Sequence, residues 1–86
     1  MITEIERLAN LLTPISDIAV LVGVDEDSLR SEIENRHSFA SMAYRRGRAK
    51  RTVELREADI ESALAGSPSA SIAVAGYLRD MANDQD

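Results

Sequence analysis

Residues 15–34 read ISDIAVLVGVDEDSLRSEIE, and this stretch decides the fold. Ile15, Ile18, Ala19 and Val22 recur at helical spacing. Thr13 and Pro14 stand just ahead of them as a start signal: threonine can cap, and proline suits a first turn because its missing N–H would be unpaired there anyway. Gly23 is placed to end this helix in a left-handed conformation, which costs glycine least. Asp25 is a good N-cap for a following helix that carries Leu29 and Ile33 on one face. Together these residues fit a helix-turn-helix pattern. Ala19 is small where the two helices approach, and Gly23 tolerates positive φ four positions on. Ile18, Val22, Val24 and Leu29 supply the apolar contacts, and Ile33 covers for Glu32, which occupies a position that is usually apolar.

Upstream, Thr3-Glu4-Ile5-Glu6 fits a capping box, and Ile5, Leu8, Ala9 and Leu12 follow at helical spacing, so a first helix is expected over residues 3–12. Downstream, residues 35–38 form a polar break. From Phe39 the pattern is helical as far as a stop at Gly66, about 25 residues or ~38 Å. Phe39, Met42, Ala49, Val53, Ile60 and Leu64 lie near one face, with Ala43 and Ala63 beside them. Gly47 reads as a soft spot, costing about 1 kcal/mol against alanine. Ser67-Pro68 repeats the earlier start signal, and a last helix carries Ile72, Val74, Tyr77, Leu78 and Met81 before fraying over residues 83–86. The expected fold class is all-α: an N-terminal helix-turn-helix head of three helices over residues 1–38, then a long helix and a shorter C-terminal helix over residues 39–86, a helical hairpin belonging to the same compact unit.

Composition removes several classes of function. The chain has 86 residues, 44% apolar, 29% charged and 3% aromatic, with no cysteine and one histidine. That length suits one small domain. No apolar run approaches the ~18 residues of a membrane span, and the opening residues lack the order of a secretory signal, so a cytoplasmic protein with no membrane partner is expected. Without cysteine there is no disulfide frame or thiolate chemistry, and His37 alone makes neither a metal site nor an acid–base pair. Ser16, Ser28 and Ser31 have no base beside them. Gly23, Gly47, Gly66 and Gly76 stand apart, so no phosphate-cradling loop is present. No enzyme, cofactor or metal is expected. Few aromatics argue against stacking on single-stranded nucleic acid.

The charge is segregated. Seven of the ten basic residues fall within residues 36–56 against the single acid Glu54, so that span carries +6 and the remainder −11. Residues 44–51 read YRRGRAKR. On a helix, Arg45, Arg48 and Arg51 make one stripe, and Arg46 and Lys50 make another beside it. Such a patch attracts polyanions even on an acidic protein, because screening keeps its field local. Pairing with the acids of residues 25–34, or with those of a second copy, is the bland alternative. The third helix carries Arg30, with Arg36 just beyond, among Asp25, Glu26, Asp27, Glu32 and Glu34, a poor surface for phosphates. The candidate DNA-binding residues are therefore Arg30, Arg36, Arg45, Arg46, Arg48, Lys50 and Arg51.

The helix-turn-helix head, the segment Ala43-Tyr44-Arg45-Arg46-Gly47-Arg48-Ala49, the long charged helix ending Ala63-Leu64-Ala65-Gly66-Ser67, and then Ala70 and Tyr77-Leu78 resemble the small terminase subunits of tailed bacteriophages and prophages. The resemblance covers roughly residues 14–81. It implies a non-catalytic DNA-packaging accessory protein that binds duplex DNA, self-associates as a homo-oligomer of ring type, and serves a large terminase subunit. Two other readings stand beside it: a dimeric helix-turn-helix transcription regulator, and a helical interaction module without nucleic acid.

Overall fold

Five helices make up the computed structural model, which describes residues 1–84. They are α1 (Ile2–Asn10), α2 (Ile15–Val22), α3 (Glu26–Glu34), α4 (Phe39–Leu64) and α5 (Pro68–Asp84). With no strand among the described residues, the protein is all-α. The chain divides into two compact units, Met1–Arg51 and Thr52–Asp86. The dividing point falls inside α4, well beyond residue 38, because the first half of α4 packs with α1–α3.

In the first unit, α1 buries Ile5, Leu8 and Ala9, and a core cluster joins Ile5 and Leu8 to Ile18 and Ala19 of α2, Leu29 of α3 and Ala43 of α4. Ile15, Val22, Val24, Ile33, Ala40 and Tyr44 pack around it, half-buried. The expected capping box on α1 does not form. The helix begins one residue earlier, with Met1 as N-cap, and Glu6 points toward Arg46 and Lys50 and not back to Thr3. Glu4 instead pairs with Arg7, whose guanidinium hydrogen bond holds the Glu4 carboxyl below the usual carboxylate range.

Helix α1 ends at Asn10, short of Leu12. Leu12 takes φ 60°, and Thr13 N–H bonds Leu8 O at 3.1 Å while Leu12 N–H bonds Ala9 O at 2.9 Å. This is the paired closure of a helix through a left-handed residue, here filled by a leucine where glycine is usual. Thr13 does not cap α2: it lies one position ahead of the N-cap, which is Pro14, with no side-chain bond. Gly23 closes α2 with φ 77°, and the Asp25 carboxylate accepts from Ser28 N at 3.0 Å, both as the sequence predicts. Ser38 starts α4: its hydroxyl accepts from Ser41 N at 3.0 Å and donates to Glu32 O at 2.6 Å.

The inward face of α4 is not the one that the large apolar residues suggest. Phe39 is 78% exposed, and Met42 and Val53 also face outward. Ser41, Ala43 and Gly47 are the buried positions. Small side chains let the helix axis come close to α1, whereas bulky ones would hold it away.

In the second unit the C-terminal half of α4 and α5 form a hairpin. Gly66, at φ 101°, closes α4 through Ser67 N–H to Ser62 O at 3.0 Å. Ser67 Oγ accepts from Ala70 N at 3.3 Å with Pro68 at the first helical position, as expected. Helix α5 continues through Asn83 and Asp84 where fraying was expected; residues 85–86 lie outside the described residues. Ala70 is the buried residue of α5, and Ile60, Leu64, Ile72, Leu78 and Met81 are exposed. Tyr77 donates its phenolic hydrogen to Asp59, and the Arg56 guanidinium lies 4.9 Å from the Tyr77 ring centre and 3.9 Å from Asp80.

Two of the three positive-φ positions among the described residues, Gly23 and Leu12, predict opposite effects. A Cβ at Gly23 meets no atom within 4 Å, so the cost of Gly23→Val is conformational, about 1–2 kcal/mol. Thermal unfolding followed by circular dichroism should show a lower Tm. Leu12→Gly should raise Tm by relieving the same strain at a half-exposed site; a fall would show that lost side-chain contact and added chain entropy outweigh that strain. For Tyr77, the hydrogen bond to Asp59 raises the phenol pKa above its ordinary value, helped by burial and by the Asp59 charge and opposed by Arg56. The raised value means that this stabilisation is present below the ordinary phenol pKa and is lost as pH rises through the folded value. In a Tyr44→Phe background, an ultraviolet absorbance titration should move to lower pH on Asp59→Asn. An unmoved curve would contradict the contact.

Candidate nucleic-acid interface

The basic run on α4 is organised by its contact with α1. Gly47 sits against the α1 backbone: a Cβ built there would lie 2.3 Å from Glu6 O, 3.0 Å from Ala9 Cβ and 3.0 Å from Asn10 N. No real side chain fits, so glycine is required here by close packing, although the sequence alone suggests a weak point that alanine would improve. Asn10 Nδ2 donates to Gly47 O at 3.2 Å across the same seam.

Residues on either side of Gly47 then meet α1 side chains. Arg46 Nη1 lies 3.7 Å from Glu6 Oε1, and Lys50 Nζ lies 3.4 Å from Glu6 Oε2. One turn further, Arg51 Nε donates to Asn10 O at 2.9 Å and its Nη2 donates to Asn10 Oδ1 at 2.9 Å. These bonds satisfy a carbonyl at the C-terminal end of α1, where a cation also suits the helix dipole. Arg51 is thus a tie between α1 and α4 as well as a member of the basic run.

Arg45 turns the other way. Its Nε donates to Ser41 Oγ at 3.2 Å and its Nη2 donates to Arg36 O at 2.8 Å, which ties α4 to the turn before it. Arg48 lies over the Tyr44 ring, 5.6 Å from its centre. Arg30 pairs with Glu26 one turn earlier on α3, at 3.0 Å, so the one cation inside that helix is held by an acid of the same helix. Asp25, Glu26, Asp27, Glu32 and Glu34 are all exposed.

The structure therefore brings Arg46, Lys50 and Arg51 together along the α1–α4 seam and ties Arg45 to the Arg36 backbone carbonyl. It leaves Arg30 apart on α3. Within the unit, Glu6 is an acid that meets the basic run, through Arg46 and Lys50. Glu6, Asn10, Gly47 and Tyr44 are the residues of this site that charge counting passes over. A lone glycine inside a run of strong helix formers is the signal that points to one of them. Among the described residues, no three His, Cys, Asp or Glu side chains converge as a metal site, and no helix is long and apolar enough to cross a membrane. Comparison with protein-family models, curated proteins and solved structures finds no match to this chain.

Gly47→Ala tests the seam. Helix propensity alone would raise stability by up to about 1 kcal/mol. The clash with Glu6 O reverses the sign, and a net loss of about 1–3 kcal/mol is expected, as for overpacking elsewhere. A Tm that rises or stays level would mean that α1 does not lie against Gly47.

Proposed function

We propose that the protein is a non-catalytic, self-associating module that binds duplex DNA through α4, an accessory protein of the kind that the resemblance to small terminase subunits implies. In this reading it works in the cytoplasm, alongside a large terminase subunit. The observation that carries it is the set of exposed cations on one stretch of helix, Arg45, Arg46, Arg48 and Lys50, next to an α2–Gly23–α3 pair whose own outer helix is acidic. Phosphates would be met by α4. Helix α3, with Arg30 held by Glu26, would contribute little to affinity. Contacts of this kind position the protein on the backbone and read no bases.

Self-association finds support in the second unit. Among the described residues, 52–84 make a two-helix hairpin, with Ile60, Leu64, Ile72, Leu78 and Met81 exposed. Clustered apolar surface of this sort usually marks an interface. The same surface is what favours the second reading, an interaction module without nucleic acid.

Fluorescence anisotropy with labelled duplex separates the two. The expected result is binding that falls steeply with salt, by about 0.9 in log K per phosphate contact for each unit of log salt. Replacing Arg45, Arg48 and Lys50 by Ala should weaken binding across sequences and flatten that slope, and Arg30→Ala should do little. Survival of binding in the triple variant with loss in Arg30→Ala would overturn the assignment to α4. Sedimentation should show oligomers that Ile60→Asp and Leu78→Asp reduce; a stable monomer at about 0.15 M salt would overturn self-association.

A further inference from the structure

We propose that Arg46 and Lys50 form a phosphodiester-binding subsite on the α1–α4 seam, and that the Glu6 carboxylate occupies it in the free protein as a tethered stand-in for phosphate. This rests on the DNA-binding reading above and adds a regulating group to it. A carboxylate and a phosphodiester both present two equivalent oxygens and one negative charge. Glu6 offers one oxygen to each cation, Oε1 to Arg46 and Oε2 to Lys50. Both separations, 3.7 and 3.4 Å, are longer than a charge-assisted hydrogen bond, so neither cation is tightly held. The side chains of Arg46 and Lys50 are 58% and 60% exposed against 31% for Glu6. The anions that could replace Glu6 have open access, and solvent weakens the internal pair.

The subsite is built, not incidental. Gly47 lies between Arg46 and Lys50 in sequence, and its contact with Glu6 O fixes the α1 backbone at that point. Arg51 and Asn10 lock the next turn in register. A hollow of about 340 Å³ opens beside the pair, lined by Thr3, Glu6, Arg7, Asn10, Gly47 and Lys50. Arg7 at its edge is held by Glu4.

A tethered carboxylate competes at a high effective concentration. A single free anion cannot displace it readily, whereas a duplex that already touches Arg45 and Arg48 can. Glu6 thus acts as a brake that biases the surface toward dense polyanions.

The test compares Glu6→Gln with Asp17→Asn, which removes an equal charge from an exposed site on α2. In anisotropy titrations with duplex DNA, Glu6→Gln should raise affinity several-fold and steepen the salt slope by about one, while Asp17→Asn should produce a smaller gain without the change of slope. The gain should vanish when Arg46→Gln and Lys50→Gln are added. In the native protein, the Glu6 side-chain carboxyl carbon should shift in carbon-detected NMR as duplex is added, a readout that needs no variant to fold. Equal effects of Glu6→Gln and Asp17→Asn, a gain that persists without Arg46 and Lys50, or an unmoved Glu6 carbon in a duplex-bound native protein would each overturn the subsite alone. No binding by the native protein or by Glu6→Gln would overturn the DNA reading, and the subsite with it.

Discussion

The approach of α4 to α1 at Gly47 is the constraint on which the first unit depends. With no side chain at that position, the α1 backbone comes within a distance that any Cβ would forbid. Three consequences follow along the same seam. Ala43 reaches the shared core with Ile5 and Ile18, and Ala9 is buried beside Gly47. Asn10 bonds across to the Gly47 carbonyl, and Arg51 bonds back to Asn10. Glu6 is set between Arg46 and Lys50. A core of mostly aliphatic residues in so short a chain has little margin, and a close helix pair is the economical way to fill it without large aromatic side chains.

The helix ends were largely legible because they depend on single residues with local chemistry. Gly23 needs no partner to favour a left-handed stop, Asp25 caps through its own turn, and Gly66-Ser67-Pro68 ends one helix and starts the next by the same rules. The failures lie where a distant element decides. Glu6 could have closed a capping box with Thr3, but the two cations on α4 take its carboxylate. Thr13 could have capped α2, but that helix takes Pro14 as its N-cap, one residue later. On α4, hydrophobicity points to Phe39, Met42 and Val53 as the inner face, whereas steric closeness to α1 selects Ser41, Ala43 and Gly47. Side-chain volume, not apolar character, orients that helix.

The candidate site was legible in its charge but not in its connections. Counting residues locates the basic run on α4. It cannot show that Arg51 ties α1 to α4, that Arg45 braces the turn before α4 through the Arg36 carbonyl, or that Glu6 from a helix some forty residues earlier sits within the run. Arg45 and Arg51 thus hold the fold and present charge together, whereas Arg46 and Lys50 stay largely exposed beside Glu6. The second unit is of another kind. Residues 52–86 carry seven acids against two arginines, and their apolar side chains are mostly outside. The proposed division of labour, polyanion contact on the first unit and association on the second, follows that difference in composition.

Nuclear Overhauser spectroscopy of the native protein reads the close contact of α1 with Gly47 without any substitution. A strong cross-peak is expected between the Gly47 α-protons and the Ala9 methyl group, with Asn10 side-chain amide protons also close to the Gly47 position. A well-dispersed spectrum in which α1 and α4 are helical but the Gly47–Ala9 cross-peak is absent would contradict that contact.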